Sequence, residues 1–228
     1  MKIAVFGLDI DPGKFKFENE CFRRINEKFS PDKSTAYSVE FIGEDFDKAD
    51  ASVYCQDKKI DFLLIDLEKI ERRMGSCDSS QKKLLIRCQE ILEKEVLICD
   101  EEFSQQDHEI LKASQLVTYK PSVASLESED INRLIQKVLD KTETILFFTI
   151  TKNELRAWGL KKGATALDAA AKIHSDLARG FIKAEVVNCR DLDSFFNMAE
   201  ARSKGICKVV TKDYEVQDGD IIEIKFSV

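Results

Sequence analysis

The residues best suited to bind a phosphate group lie near the start of the sequence, in the stretch GLDIDPGKF from Gly7 to Phe15. The apolar run MKIAVF before it predicts a β-strand, and FENECFRRINEKF after it has helical spacing. A strand, a glycine-containing loop and a Gly-Lys pair before a helix are typical of a P-loop, in which backbone amides and the lysine hold phosphates. Gly7, Gly13 and Lys14 are therefore the candidate nucleotide-binding residues.

The spacing and residue types of this loop depart from those of a working P-loop. Five residues separate Gly7 from Gly13, one more than the motif allows. Phe15 stands where Ser or Thr would bind magnesium, and Pro12 removes an amide donor. Because the metal has no hydroxyl ligand, the loop is not expected to support nucleotide hydrolysis.

The charge of the loop also opposes nucleotide binding. Asp9 and Asp11 place two negative charges where a polyphosphate would lie. Two unit charges about 4 Å apart repel by ~4 kcal/mol at an effective dielectric of about 20, which offsets much of the attraction from Lys14. We therefore predict that Gly7, Gly13 and Lys14 form an ordinary strand-to-helix turn. Neither ATP nor GTP with magnesium is an expected cofactor.

The composition is that of a globular protein outside membranes. Of the 228 residues, 43% are hydrophobic and 34% are charged. No apolar run approaches the ~20 residues that span a bilayer, and Asp9 and Asp11 interrupt the pattern of a secretory signal. We therefore expect a cytoplasmic protein without a membrane partner, built as one large domain or two small ones.

The cysteines predict neither a disulfide framework nor a metal site. There are seven, an odd number without a C-x-x-C pair, and His108 and His174 are the two histidines. The recurrence of three of them every eleven residues is attributed to the chance spacing of free thiols. The seven cysteines are Cys21, Cys55, Cys77, Cys88, Cys99, Cys189 and Cys207.

The net charge of −7 is concentrated in the first part of the chain. Residues 144–228 hold 13 Lys and Arg against 12 Asp and Glu, so residues 1–143 hold 22 against 30. The acidic first part argues against general affinity for nucleic acids, and no DNA partner is expected. The nearly neutral second part leaves room for a local basic surface.

The N-terminal part predicts a small α/β domain with an inserted helical hairpin. TAYSVEFI and ASVYC have the β-branched and aromatic residues of short strands. Two amphipathic helices separated by GSCDSS predict the hairpin at about residues 58–96, with Leu64, Leu67 and Ile70 on one apolar stripe. QLVTYKPSVA predicts a strand that Pro121 stops, and SEDINRLIQKVLDK predicts a further helix.

A domain boundary is predicted at Asp140–Glu143, between a degenerate P-loop-type domain over residues 1–143 and a second domain over residues 144–228. From ILFFTIT onward the order is strand, strand, helix, strand, helix, strand, strand. Thr165 can cap the main helix, ATALDAAAKIHSDLA, and VQDGD supplies a turn before the last strand. One main helix across a mixed sheet predicts an α+β, ubiquitin-like β-grasp fold.

Several motifs mark the second domain and carry a close resemblance to the TGS domain that ends the YchF-type, Obg-related ATPases. They are R-A-W at Arg156–Trp158, K-G-A-T-A at Lys162–Ala166, I-H-S-D at Ile173–Asp176, G-F-I-K-A-E-V at Gly180–Val186 and D-Y-E-V-Q-D-G-D at Asp213–Asp220. The resemblance covers Thr144–Val228 almost without gaps. Cys189 is a departure, because the family pattern usually carries an aromatic residue there.

The helical hairpin resembles that family's inserted helical domain, with shorter helices. The resemblance implies a second acidic, magnesium-side motif after VEF, where this chain reads FIGEDFDKA. It also implies a base-reading motif after KPSVAS, where the chain reads LESEDI. Because both motifs are missing, the chain resembles a truncated, non-catalytic relative of these ATPases with a degenerate P-loop.

The resemblance implies an RNA-, ribosome- or protein-binding module, since TGS domains accompany translation and stringent-response factors. Cations near the main helix would meet phosphates, and an exposed aromatic ring would stack on an unpaired base. The residues of this predicted basic edge are Lys161, Lys162, Lys172, His174, Arg179, Phe181 and Lys183. The alternative for each is a solvated surface, with Phe181 buried in the core.

Other functions stay open beside RNA or ribosome binding. The chain could be a protein-interaction adaptor, or a residual switch that responds to ATP or GTP. His174 beside Asp176 could serve acid–base chemistry, but a capping or surface role is favoured inside a motif of a domain not known for catalysis. No nucleophile elbow, metalloprotease or dinucleotide motif is present, so no enzymatic activity is predicted.

Overall fold

The computed structural model describes residues 1–227 and divides into two compact units. The first unit comprises Met1–Phe15 and Val39–Thr142. The second unit comprises Lys16–Ser38 and the chain from Glu143 onward. The second unit therefore includes a segment from the N-terminal part of the chain, which the predicted division into residues 1–143 and 144–228 did not anticipate.

Strands and helices are mixed along the whole chain. The strands are β1 (Lys2–Phe6), β2 (Gly13–Phe17), β3 (Lys33–Thr35), β4 (Tyr37–Phe41), β5 (Ala51–Cys55), β6 (Ser122–Ser125), β7 (Thr144–Ile150), β8 (Glu154–Lys161), β9 (Phe181–Asn188), β10 (Lys208–Val210) and β11 (Asp220–Phe226). The helices are α1 (Glu20–Phe29), α2 (Lys59–Met74), α3 (Ser79–Glu93), α4 (Gln105–Ser114), α5 (Ile131–Lys141), α6 (Ala166–Ile173), α7 (Ser175–Arg179) and α8 (Met198–Ser203). Among residues 1–227, no helix is both long and apolar enough to cross a membrane.

The first unit is built on a sheet with the strand order β2-β4-β1-β5-β6. Strand β1 is parallel to β4 and to β5, and β5 is parallel to β6. All five residues of β5 are buried, as expected for a parallel strand that is covered on both faces. The predicted strands TAYSVEFI and ASVYC are confirmed.

The segment after the first loop is a strand, so the predicted strand-to-helix turn at Gly7, Gly13 and Lys14 is wrong. Gly13 and Lys14 open β2, and α1 begins only at Glu20. The sequence GKFKF alternates between exposed lysines and less exposed phenylalanines, which is the period of a strand. Helix α1 starts where the Asn19 side chain accepts a hydrogen bond from the Phe22 backbone N–H, at 2.9 Å.

The helical hairpin is confirmed as α2 and α3, but one of its predicted packing residues is not. Ile70 is fully buried, and Leu67 packs partly buried against the same core. Leu64 is 44% exposed. The buried face of α2 includes Phe62 and Leu63, which lie two residues and one residue before Leu64 in the sequence.

Residues 116–119 do not form the strand predicted from QLVTYKPSVA, because a side chain takes up their backbone donors. The carboxylate of Asp66 accepts hydrogen bonds from the backbone N–H groups of Val117 and Thr118, at 2.8 and 2.7 Å. The chain turns there, and strand β6 begins only after Pro121. The helix predicted next is confirmed as α5.

The second unit is built on a mixed sheet with the strand order β10-β9-β11-β7-β8-β3. Strand β11 is parallel to β7, β3 is parallel to β8, and the other pairs are antiparallel. The order of elements predicted from ILFFTIT onward is confirmed. The predicted main helix is interrupted at His174, whose backbone is extended, so α6 and α7 are separate.

Helices α6 and α1 cover opposite faces of this sheet. Consecutive side chains of a strand point to opposite faces. Phe147 belongs to the core cluster that contains Ala169 of α6, whereas the ring of Phe148 lies 6.5 Å from the ring of Phe22 on α1. Because Phe22 and Ile25 are almost fully buried, α1 is an integral part of the second unit.

A disulfide joins Cys21 of α1 to Cys189, so the expectation of no disulfide framework missed this bond. The two residues are 168 positions apart in sequence, and spacing rules report only local pairs. Gly219, with a φ of +85°, makes room for the bond, since a Cβ there would lie 2.8 Å from Cys189 Sγ. The thiols of Cys55, Cys77, Cys88, Cys99 and Cys207 are free.

Candidate functional site

The loop after β1 is shaped around Gly7 and around Lys58, a lysine that the P-loop pattern does not include. Gly7 has a φ of +68°, which favours glycine. A Cβ on Gly7 would lie 2.6 Å from Cδ of Lys58, in the 3₁₀ turn that follows β5. The stem of Lys58 therefore occupies the space directly beside Gly7.

The predicted nucleotide-binding residues are not gathered in one loop. Gly13 and Lys14 belong to β2, and Lys14 is exposed. Phe15 follows Lys14 on the strand, so the two side chains point to opposite sides. The ring of Phe15 packs edge-on against Phe41, with 5.2 Å between centroids. The position that would carry a magnesium-binding hydroxyl thus carries a packed aromatic ring.

A cavity of about 320 Å³ lies beside this loop, at the carboxyl ends of β1 and β6. Open α/β sheets bind ligands at the carboxyl ends of their strands. Apolar side chains from the loop, from β2, from the segment between β6 and α5 and from the start of α5 line the cavity. They are Leu8, Ile10, Phe15, Leu126, Ile131 and Leu134.

The charged groups at the cavity are all acidic. Asp9, Asp11, Glu127 and Glu129 line it, and no Lys, Arg or His among residues 1–227 does. The structure shows no ion pair for Asp9, Asp11 or Glu127 among residues 1–227, and all three are exposed. A polyphosphate would meet only negative charge here.

The negative charge of Glu129 is balanced by basic side chains of helix α5. Its side chain is 8% exposed, with Lys137 Nζ at 2.5 Å and Arg133 Nε at 3.6 Å. Ser125 Oγ donates to it at 2.9 Å. Burial alone would raise the pKa of Glu129, but the hydrogen bonds from Lys137 and Ser125 lower it below its usual value. The unpaired charge of the cavity therefore comes from Asp9, Asp11 and Glu127.

The predicted basic edge of the second unit is split into separate groups. Lys161 and Lys162 lie before the N-terminus of α6, whereas Lys172 lies near its C-terminus. A helix of eight residues is about 12 Å long, so these lysines lie near opposite ends of α6. Arg179 ends α7, and Lys183 follows on β9.

His174 and Arg179 make contacts that serve the local structure. His174 Nδ1 accepts a hydrogen bond from the Asp176 backbone N–H at 3.1 Å and so caps α7. Arg179 donates to the Asp176 carboxylate at 2.8 Å. The favoured capping role of His174 is confirmed.

The N-terminal cap of α6 is the one that the sequence predicts. Thr165 and Asp168 form a capping box at its start, which confirms the predicted cap. The hydrogen bonds from the backbone and hydroxyl of Thr165 lower the pKa of Asp168. The charge of Asp168 is thus held at the helix terminus, beside the predicted basic residues.

The exposed aromatic ring of the second unit is not the predicted one. Phe181 is half-buried against the core beside α6, whereas Phe196 is 82% exposed in the segment before α8. The doublet Phe195-Phe196 could have predicted an exposed ring. Consecutive residues in an extended segment face opposite ways, so only one of the two rings can be buried on the same side. Phe195 is buried, with Lys28 Nζ 5.0 Å from its ring centroid.

Comparisons with known proteins found matches that cover both units. A family model, YchF-GTPase_C, described as "Protein of unknown function (DUF933)", matches residues 144–227. The solved YchF GTPase of Schizosaccharomyces pombe has a TM-score of 0.78 and 14% identity, with 99% of this chain and 97% of that chain covered. The fold is therefore that of a YchF GTPase, with mixed α/β sheets.

Curated relatives, each named "Ribosome-binding ATPase YchF", extend the likeness from fold to sequence. The Mycoplasma genitalium protein is 36% identical over 118 residues, which cover 52% of this chain and 32% of that protein. The Pasteurella multocida protein is 30% identical over 206 residues, covering 90% and 55%. The Bacillus subtilis protein is 26% identical over 237 residues, covering 74% and 65%.

Together these findings support the predicted resemblance to the YchF-type family: the family model matches residues 144–227, and the match to the Pasteurella multocida relative covers 90% of this chain. The chain spans less than two thirds of the length of each of these curated relatives.

Proposed function

We propose that this chain is a translation-associated protein that binds the ribosome, or another RNA, through its second unit and does not hydrolyse nucleotide. In this proposal residues 144–228 form a TGS-type β-grasp domain. Residues 1–143 are derived from a P-loop domain and keep its helical hairpin. The protein would act in the cytoplasm, where ribosomes are found.

The family-model match to residues 144–227 is the observation that carries the proposal. A relative whose match covers 90% of this chain bears the name ribosome-binding ATPase. The second unit also contributes exposed cations, among which Lys172 and Lys183 form no ion pair within residues 1–227. Exposed lysines of this kind bind RNA phosphates by releasing counterions.

The absence of hydrolysis is proposed from the chemistry of the loop after β1. Phe15 offers no metal ligand, and Lys14 points away from the side of the strand on which Phe15 lies. The cavity beside the loop contributes only carboxylates as charged groups. Positive charge around the phosphates is the main requirement of phosphoryl transfer, and the residues that line the cavity do not supply it.

Ribosome binding is tested by pelleting the full chain with purified ribosomes through a sucrose cushion at several salt concentrations. We expect binding that weakens as salt rises. Charge reversal at both sites, Lys172→Glu with Lys183→Glu, should weaken it and lower the slope of log K against log salt by about 1 for each lysine. Lys82→Glu with Lys83→Glu on α3 changes the net charge equally and serves as the control.

Two results would contradict the ribosome proposal. Binding that does not change with salt would exclude a phosphate-driven contact. Equal loss in the Lys172/Lys183 and Lys82/Lys83 variants would assign the effect to net charge. Capture of a partner that survives nuclease treatment would favour the protein-adaptor alternative.

The proposed lack of nucleotide hydrolysis is tested separately. Calorimetric titration with millimolar ATP or GTP, with and without magnesium, should give no heat of binding. Release of phosphate at a rate above that of buffer would overturn this part of the proposal. The ribosome result would stand by itself in either case.

A further inference from the structure

We infer that the cavity between the loop after β1 and the start of α5 binds a linear aliphatic polyamine. The cavity holds about 320 Å³, which is at the lower end of the range for small-molecule sites. It lies wholly within the first unit. The inference is therefore independent of ribosome binding by the second unit.

The lining of the cavity suits a methylene chain. Leu8 and Ile10 come from one side, and Leu126 and Ile131 come from the other. The side chain of Leu126 is 56% exposed. A ligand with apolar segments would remove this surface from water, which is favourable.

The rim of the cavity suits ammonium groups. Asp9, Asp11 and Glu127 are the unpaired carboxylates at the cavity, and the fourth acid, Glu129, already binds Lys137 and Arg133. Cationic groups placed at the rim would pair with these carboxylates and relieve their mutual repulsion. The occupant is therefore a cation.

The arrangement of the carboxylates separates a polyamine from a metal ion. Within residues 1–227, no group of three or more His, Cys, Asp or Glu residues converges in a way that could hold a metal. A divalent ion needs oxygen ligands around one point. Ammonium groups spaced along a flexible chain can instead reach carboxylates that stand apart around an apolar cleft.

Calorimetry with spermidine and the full chain at low salt tests the inference. Magnesium chloride, which is charged without an apolar part, and 1,8-octanediol, which is apolar without charge, are the comparison probes. Spermidine should bind, and neither comparison probe should bind detectably. Equal binding of magnesium would mean that charge alone is sufficient for binding. Binding of the diol would mean that apolar contact alone is sufficient. Either result would overturn the proposal.

Two pairs of Asp→Asn substitutions test whether spermidine binds at this cavity. Asp9→Asn combined with Asp11→Asn should weaken spermidine binding about tenfold, because two exposed ion pairs are lost. Asp32→Asn combined with Asp213→Asn removes two exposed acids of the second unit and should leave the affinity unchanged. Equal weakening by both pairs would show nonspecific attraction to an acidic chain and would refute the site.

Methyl NMR spectra give a second readout that does not depend on affinity. Spermidine should shift the methyl signals of Leu8, Ile10 and Ile131, which line the cavity. The exposed methyl groups of Ile86 on α3 and Ile182 on β9 should not move. Shifts spread over the control methyls, without the lining ones, would place the ligand elsewhere.

Discussion

Asp66 and Thr118 are joined by two hydrogen bonds, because the backbone N–H and the hydroxyl group of Thr118 both donate to Asp66 Oδ2 at 2.7 Å. The second carboxylate oxygen accepts from the Val117 N–H at 2.8 Å. Asp66 is fully buried in the middle of α2. This carboxylate therefore fixes the turn before β6 to the helical hairpin.

Replacing Asp66 with Asn should lower the free energy of unfolding by about 1–3 kcal/mol. The amide has one accepting oxygen, so its NH₂ group would face a backbone donor that loses its partner. Urea unfolding gives the measurement. Glu71→Gln, which changes an exposed carboxylate of the same helix, should alter stability by less than about 0.5 kcal/mol. An equal effect of the two substitutions would contradict the assigned role.

The same residue predicts a dependence of stability on pH. Burial raises the pKa of Asp66, although the hydrogen bonds from Thr118 and Val117 act in the opposite direction. Because the pKa is higher in the folded state, the associated stability is present below the ordinary value of 3.8 and is lost as pH rises through the folded pKa. The stability advantage of the wild type over Asp66→Asn should therefore shrink across this window. A widening advantage would mean that hydrogen bonding governs the titration.

Ser52 and Ser122 are directly paired across β5 and β6 but differ in their hydrogen bonding. Ser122 Oγ donates to the Lys120 carbonyl at 2.9 Å, whereas the buried Ser52 Oγ has no partner among residues 1–227. Ser52→Ala should leave stability unchanged or raise it by about 1 kcal/mol, and Ser122→Ala should lower it by about 1 kcal/mol. Thermal unfolding of the two variants makes the comparison. Destabilisation by Ser52→Ala would indicate a partner for its hydroxyl.

The Cys21–Cys189 disulfide should stabilise the second unit by constraining the unfolded chain. Its ends are 168 residues apart, and closing so long a loop contributes about 2–5 kcal/mol. A reductant should therefore lower the urea midpoint of the wild type. Cys21→Ser should lower it similarly and abolish the response to reductant. Cys207→Ser removes a free thiol and should keep that response. A wild-type midpoint that ignores reductant would refute the bond.

Phe22 tests whether α1 belongs to the core of the second unit. Phe22→Ala removes a buried ring that packs near Phe148 and should lower the free energy of unfolding by about 3–5 kcal/mol. Arg23→Ala, at the neighbouring exposed position, should have an effect within about 0.5 kcal/mol. Tryptophan fluorescence of Trp158 on β8 reports on this unit. If its transition stays unchanged in Phe22→Ala, α1 does not support the sheet.

The sequence predicted the elements whose signals are local. Periodicity identified α2, α3 and α5, and a capping motif identified the start of α6 at Thr165. The alternation in GKFKF was also local, but the Gly-Lys pair suggested a P-loop and a helix in its place. Strand β2 could therefore have been predicted from its alternation, but the apparent P-loop motif favoured a helix at the same residues.

The features that could not be predicted depend on contacts between distant residues. The turn at Val117 and Thr118 requires Asp66, which is 51 and 52 positions away. The disulfide requires α1 to lie on the sheet face opposite α6, and no local pattern encodes that placement. The acidic residues Asp9 and Asp11 were recognised, but Glu127 joins them only because β1 and β6 end at the same edge of the sheet.

The position of α1 has a consequence for synthesis of the chain. Cys21 leaves the ribosome 168 residues before Cys189, which at 5–20 residues per second is an interval of roughly ten to thirty seconds. During that interval the apolar side of the nascent helix, with Phe22 and Ile25, has no sheet to cover. Helix α1 thus reaches its native neighbours long after its own synthesis, and a chaperone that covers Phe22 and Ile25 would protect it during that interval.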